Sequence, residues 1–155
     1  MKKSLLFIAL AALAFPIAPS AFAITFASLT TIYIGTGVHE DGDIGDGATV
    51  FHCSNVSGIS TSVRFLVLNS TGAVAASSTQ ALAHGATVTV STGAVDGYPN
   101  EIDIAAGTVT QGVVNIESLQ SGVFCNAMTV DASPADPVGF TLPLVRVNPH
   151  PGTAE

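Results

Sequence analysis

The chain predicts an all-β domain, a two-sheet antiparallel sandwich of about eight strands, carried behind an export signal. Three observations lead there. Apolar residues recur with period two rather than 3.6 along most of the chain. Turn residues punctuate the runs at short intervals. Two lone cysteines, Cys53 and Cys125, sit in near-matching apolar segments, Val50-Phe51-His52-Cys53 and Val123-Phe124-Cys125.

The first 23 residues read as a secretory signal peptide. Met1-Lys2-Lys3 is a short basic start, residues 5–14 are apolar, and Pro16 and Pro19 precede Ala21-Phe22-Ala23, an A-x-A cleavage pattern. The apolar stretch is shorter than an ordinary membrane span needs. Cleavage there takes 23 residues from 155 and leaves 132, the size of one domain. Lys2 and Lys3 leave with the signal, so Arg64 and Arg146 face eleven acids, a net charge of −9. Clustered cations are what phosphate recognition requires, which excludes nucleic acid as an expected partner and disfavours anionic lipid surfaces. The expected location is secreted, periplasmic or cell-surface.

Strands follow in order. Thr87-Val88-Thr89-Val90-Ser91 alternates with Val88 and Val90 inward. Ile102 and Ile104 alternate with Glu101 and Asp103, and Val114 and Ile116 with Asn115 and Glu117. Residues 63–68 are apolar on both faces except at Arg64 and read as a central strand. Asn69-Ser70-Thr71-Gly72 ends it, and residues 73–81 return as its hairpin partner. Residues 93–100 hold Gly, Asp, Gly, Pro and Asn and must be a loop. Ser121-Gly122 reads as a tight hairpin between the Ile116 and Cys125 strands. Residues 35–47 read as a polar insertion separating an N-terminal strand from the first cysteine strand. The sandwich domain is expected over 24–147, with 148–155 a loose, Pro-containing tail.

The cysteines have two readings. As ligands, His52, Cys53, His84, Cys125 and Met128 are the residue types of a copper centre, but no histidine stands between Cys125 and Met128 where such a loop places one. As a staple, the two thiols form a disulfide in an oxidising compartment, and the strands that carry them are neighbours. The staple is the expected reading. Residues 39–47, His-Glu-Asp-Gly-Asp-Ile-Gly-Asp-Gly, space Glu40, Asp41, Asp43 and Asp46 so that they could wrap calcium, yet Gly45 breaks the EF-hand ligand pattern. No cofactor is expected unless that loop takes calcium; otherwise it is a solvated loop.

No nucleophile elbow, zinc-protease or paired-acid motif is present in the sequence. Asp96, Asp103, Glu117 and Asp131 are expected at turns or on wet strand faces. Of the aromatic residues, Tyr98, in Gly97-Tyr98-Pro99, is the ring expected to be available for stacking. Asn55-Val56-Ser57 and Asn69-Ser70-Thr71 match the N-glycosylation pattern.

The run Val63-Arg64-Phe65-Leu66-Val67-Leu68-Asn69, then Gly72, then Leu82-Ala83-His84-Gly85-Ala86-Thr87-Val88 resembles a pattern in bacterial immunoglobulin-like sandwiches, where a strand ends in Asn and a Leu-x-x-Gly turn opens the next. Cys53-Ser54-Asn55 before it, residues 125–132 after it and Leu142-Pro143-Leu144 extend the likeness. The whole is similar to uncharacterised bacterial secreted proteins with two cysteines. The resemblance implies an immunoglobulin-like fold and no catalytic residue. The expected function is a non-enzymatic binding, adhesive or structural module of the bacterial envelope or exterior, with an unidentified protein or cell-surface partner and self-assembly through sheet edges as one route. The alternatives are a secreted cation-binding protein using residues 39–47 and a secreted hydrolase with a site built from dispersed loops.

Overall fold

The computed structural model describes residues 28–42, 47–134 and 138–147; the signal peptide, Asp43, Asp46 and the 148–155 tail lie outside the described residues. Among the described residues the chain is all-β, with ten strands and no helix. They are β1 (Thr30–Glu40), β2 (Gly47–Asn55), β3 (Thr61–Leu68), β4 (Val74–Leu82), β5 (Thr87–Ser91), β6 (Ile102–Asp103), β7 (Val109–Ser118), β8 (Val123–Asp131), β9 (Gly139–Leu142) and β10 (Leu144–Arg146).

These strands form one mixed sheet curled into a half-barrel. One half runs β4-β3-β7-β1-β10 and the other β9-β8-β2-β5-β6. They join where Glu40 at the end of β1 meets Ala48 in β2. Every pairing is antiparallel except β5 with β6, which is parallel and two residues long. The extended run expected around Ile102–Ile104 therefore shrinks to a short edge.

Period two is visible across whole rows. Tyr33, Ile116 and Phe65 lie in register across three strands and are all buried. The next row inward, Gly35, Val114 and Val67, brings Leu144 and Ala76 beside it. From the other half come Phe51, Cys53, Val90, Val123 and Ala127. Phe51 and Phe65 meet across the interior with ring centroids 6.0 Å apart. A second, smaller cluster of Ala48, Val50, Val95, Val130 and Ala132 lies on the opposite side of β2 and β8. Both faces of β2 are therefore packed, Ala48 and Val50 on one and Phe51 and Cys53 on the other.

Cys53 and Cys125 are register partners on β2 and β8, with their sulfurs 2.07 Å apart. The neighbouring of the two cysteine strands expected from the sequence is thus present. Residues 74–82 do return antiparallel on β3 as the turn at Asn69 demands: Asn69 Oδ1 accepts the N–H groups of Thr71 and Ala73.

Four expectations are corrected. Ser121-Gly122 does not close a hairpin, because β7 pairs with β1 and β3 while β8 pairs with β2 and β9; the turn carries the chain from one half to the other. Residues 35–47 are not an insertion up to Glu40: β1 continues through them, absorbing Gly37 at φ +89° where its pairing with β7 slips. The outer residues of β3, Arg64, Leu66 and Leu68, are half-buried, so β3 is interior to the sheet but fully covered on one face only. Glu117 is buried rather than wet, and Arg64 Nε donates to its Oε2 at 2.6 Å. The final Leu-Pro-Leu segment also divides. Pro143 has no N–H to give a ladder, and the chain leaves β8 after Leu142 to pair with β1 from Leu144.

Candidate functional site

The half-barrel does not close between β1 and β9, and a cleft of about 590 Å³ opens there. Beside Gly37 the gap is narrow, because Leu142 lies against that glycine. Thr110, His39, Asp131, Val138 and Phe140 line it as well. Register explains its lining. Phe140 pairs with Thr129 and Leu142 with Ala127, so Phe140 shares the inward face of β8 and β9. Leu142 and Ala127 are buried there. Phe140, two residues further on, is 68% exposed because the facing strand has receded. Thr129 is 6% exposed, and its Oγ1 has no hydrogen-bond partner within the described protein. At the rim, His39 Nε2 pairs with Asp41 at 2.7 Å and Asp131 Oδ1 accepts the Ser133 N–H and hydroxyl.

Two of the four proposed cation ligands are described, and they diverge. Glu40 is buried at 6% exposure; its Oε2 accepts from Thr92 Oγ1 at 2.9 Å and its Oε1 from the Gly42 N–H. Gly93 lies so close that a Cβ there would fall on the Glu40 carboxylate. Asp41 is exposed, paired with His39 and accepting the Gly47 N–H. Glu40 is the last residue of β1 and Asp41 the first beyond it, and their carboxylates take different partners. Among the described residues no cluster of three His, Cys, Asp or Glu side chains is placed to hold a metal ion.

The copper-type residues are also dispersed in role. The cysteine sulfurs bond each other. His52 hydrogen-bonds Thr89 Oγ1 through Nδ1, and burial pushes its pKa down, favouring the neutral ring. His84 is exposed and accepts the Gly58 N–H. Met128 accepts the Tyr98 hydroxyl at 3.3 Å. Tyr98 is therefore not the free platform expected: its ring packs edge-on against His52 and its hydroxyl is taken. Among the described residues the exposed rings are Phe140 and Phe124, and Arg146 covers Phe124 with its guanidinium 5.1 Å from the ring centroid. In the sequence both phenylalanines sit among apolar strand residues and read as core, so no local signal marked them.

In the sequence Glu101 alternates with Ile102 and reads as an acid on a wet strand face. It instead straps the loop of residues 92–101. Its Oε1 accepts the Val95 N–H, its N–H donates to Tyr98 O, and its Oε2 is buried. Asn55, a glycosylation-pattern residue, is fully buried and donates from Nδ2 to Ile59 O and Leu82 O, which leaves its amide inaccessible for modification in the folded protein.

Among the described residues the sheet has one long free edge. β4 pairs on one side only, with β3, and its nine residues, Val-Ala-Ala-Ser-Ser-Thr-Gln-Ala-Leu, include no charge and no proline. The strands that end the other paths, β6, β9 and β10, are four residues or shorter.

No protein-family model matches the chain, and no curated protein matches it. Among solved structures, the crystal structure of Thermotoga maritima 1070 matches with a TM-score of 0.50 at 9% identity, over 72% of this chain and 90% of that one. The likeness is one of fold. No helix among the described residues is long and apolar enough to cross a membrane, and the joined cysteines are consistent with an oxidising compartment.

Proposed function

We propose that this is an exported, non-enzymatic adhesive or structural module that assembles with copies of itself through β4, its two sheet halves serving as the layers of an immunoglobulin-like sandwich. The observation that carries this is the uncharged, nine-residue free edge. A strand with one unpaired row of N–H and C=O groups is a template for another strand, and monomeric proteins blunt such edges with charges, prolines or bulges. β4 lacks the first two, and its one irregularity lies at its start, where pairing with β3 shifts between Val67 and Leu68.

An antiparallel β4–β4 pair about a two-fold axis centred on Ser78 sets Ser77 opposite Thr79 and Ala76 opposite Gln80, pairs without like charges. The acidic surface of the chain repels copies elsewhere, so assembly should strengthen as salt screens it. Sedimentation across a hundredfold concentration range tests this. The expected result is a concentration-dependent dimer or larger species in the wild type, shifted to monomer by Ser77→Lys, an exposed position where a lysine blunts the edge. A wild type that stays strictly monomeric at every concentration and salt, and retains no partner from culture supernatant, ends the proposal.

A further inference from the structure

We propose that the open mouth between β1 and β9 binds a neutral saccharide, with Phe140 as the stacking ring. The site is separate from the β4 edge. An aromatic side chain on the core-facing side of a strand is normally buried; Phe140 is 68% exposed there because its own half of the sheet curls away from β1. A bare ring on the inward face of a cleft is a surface awaiting an occupant.

The second, independent observation is Thr129, directly opposite Phe140 in register. It is more than nine-tenths buried, lines the same cleft, and leaves its hydroxyl without a partner. Buried hydroxyls are normally satisfied. A change of about 120° in χ1 carries the hydroxyl to another staggered position, from which it can reach a ligand in the cleft.

The chemistry of the lining selects the ligand class. Among the described residues neither Lys nor Arg lines the cleft, so a phosphate or carboxylate ligand would find no countercharge there. Asp131 offers a carboxylate, Thr110 and Thr129 offer hydroxyls, and His39 offers an imidazole held by Asp41. A pyranose matches that set: its C–H face packs on a ring while its hydroxyls donate to a carboxylate and exchange hydrogen bonds with threonines. About 590 Å³ accommodates one to a few such units.

Calorimetric titration of the full exported chain with maltotriose, cellotriose, chitotriose and mannotriose, each to about 20 mM, tests the assignment, since a shallow site should bind in the millimolar to high micromolar range. At least one trisaccharide should bind saturably. Phe140→Ala should weaken it about tenfold or more, and Asp131→Asn should weaken it less, with melting temperatures of both variants measured alongside. Phe124→Ala, which removes the other exposed ring, should leave binding unchanged. Should Phe140→Ala not fold, Asp131→Asn and Thr110→Val together carry the same comparison. Absence of heat with all four sugars overturns the proposal. Binding that survives Phe140→Ala, or that is lost equally in Phe124→Ala, overturns it too, as does saturable binding of an uncharged apolar hexapeptide in place of every sugar.

Discussion

Arg64 and Glu117 face each other across β3 and β7, in register, with Arg64 more exposed and Glu117 nearly covered. The carboxylate has lost most of its water, and the guanidinium supplies donors to it through both Nε and Nη2. Removing the arginine leaves the acid stranded. Arg64→Ala should destabilise the fold by about 2 kcal/mol, read from urea unfolding at neutral pH, whereas the double variant Arg64→Met with Glu117→Met should recover most of that loss. A single cost carried equally by the double variant would show that alkyl packing, not the stranded charge, sets the effect. The alternation around Ile116 correctly placed Glu117 on the face opposite the core. That this face was covered depended on Arg64, some fifty residues away, and on no local pattern. Phe140 shows the same limit: it stands among apolar residues in the sequence, and its exposure depends on strands far from it along the chain.

At the scale of elements, the loop between β5 and β6 is held by one side chain. Glu101 accepts from Val95 and caps a turn that seats Tyr98 on His52. Burial raises its pKa above the ordinary 4.5, with Asp103 and Asp96 adding to the rise, while the Val95 N–H and the Ser91 hydroxyl oppose it. A carboxyl that binds its proton more tightly when folded contributes stability that is fully present below about 4.5 and is lost as pH rises through the raised folded value. Unfolding free energy measured from pH 4 upward should therefore contain a declining component. Glu101→Gln, which keeps an acceptor for Val95 and cannot ionise, should remove that component and leave stability higher than wild type at neutral pH. A Gln variant with the same pH profile as wild type would assign the slope to another group. The loop itself was readable from its Gly and Pro content; its strap was not, because an acid next to an alternating strand has the same sequence signature whether its carboxylate is wet or buried.

Across the whole molecule, the Cys53–Cys125 link joins two adjacent central strands and closes a span of 72 residues. A link of that span restricts the unfolded chain by about 4 kcal/mol in the chain-entropy account. Paired Cys53→Ala and Cys125→Ala substitution should lower unfolding free energy by up to that amount and preserve the far-ultraviolet spectrum of the sheet, since the β2–β8 ladder continues on either side of the link. Loss of the sheet signal at room temperature would show instead that the link is required for folding. Together with the salt dependence expected for β4 assembly, this separates what holds one copy together from what joins copies.

The sequence by itself determined the all-β class, most strand positions, the β3–β4 hairpin and the pairing of the two cysteines. Each of these follows from short-range rules: period two, turn residues, and a single available thiol partner. The tertiary structure alone decided that residues 121–122 cross between halves instead of closing a hairpin, and that Pro143 marks a change of partner strand. It alone left β4 unpaired on one side and opened the mouth at Phe140. Those features depend on which strands become neighbours and on where a curling sheet stops short of closure. A residue's exposure is fixed by elements far from it in sequence, and an alternating pattern records only which way a side chain points, not what stands opposite.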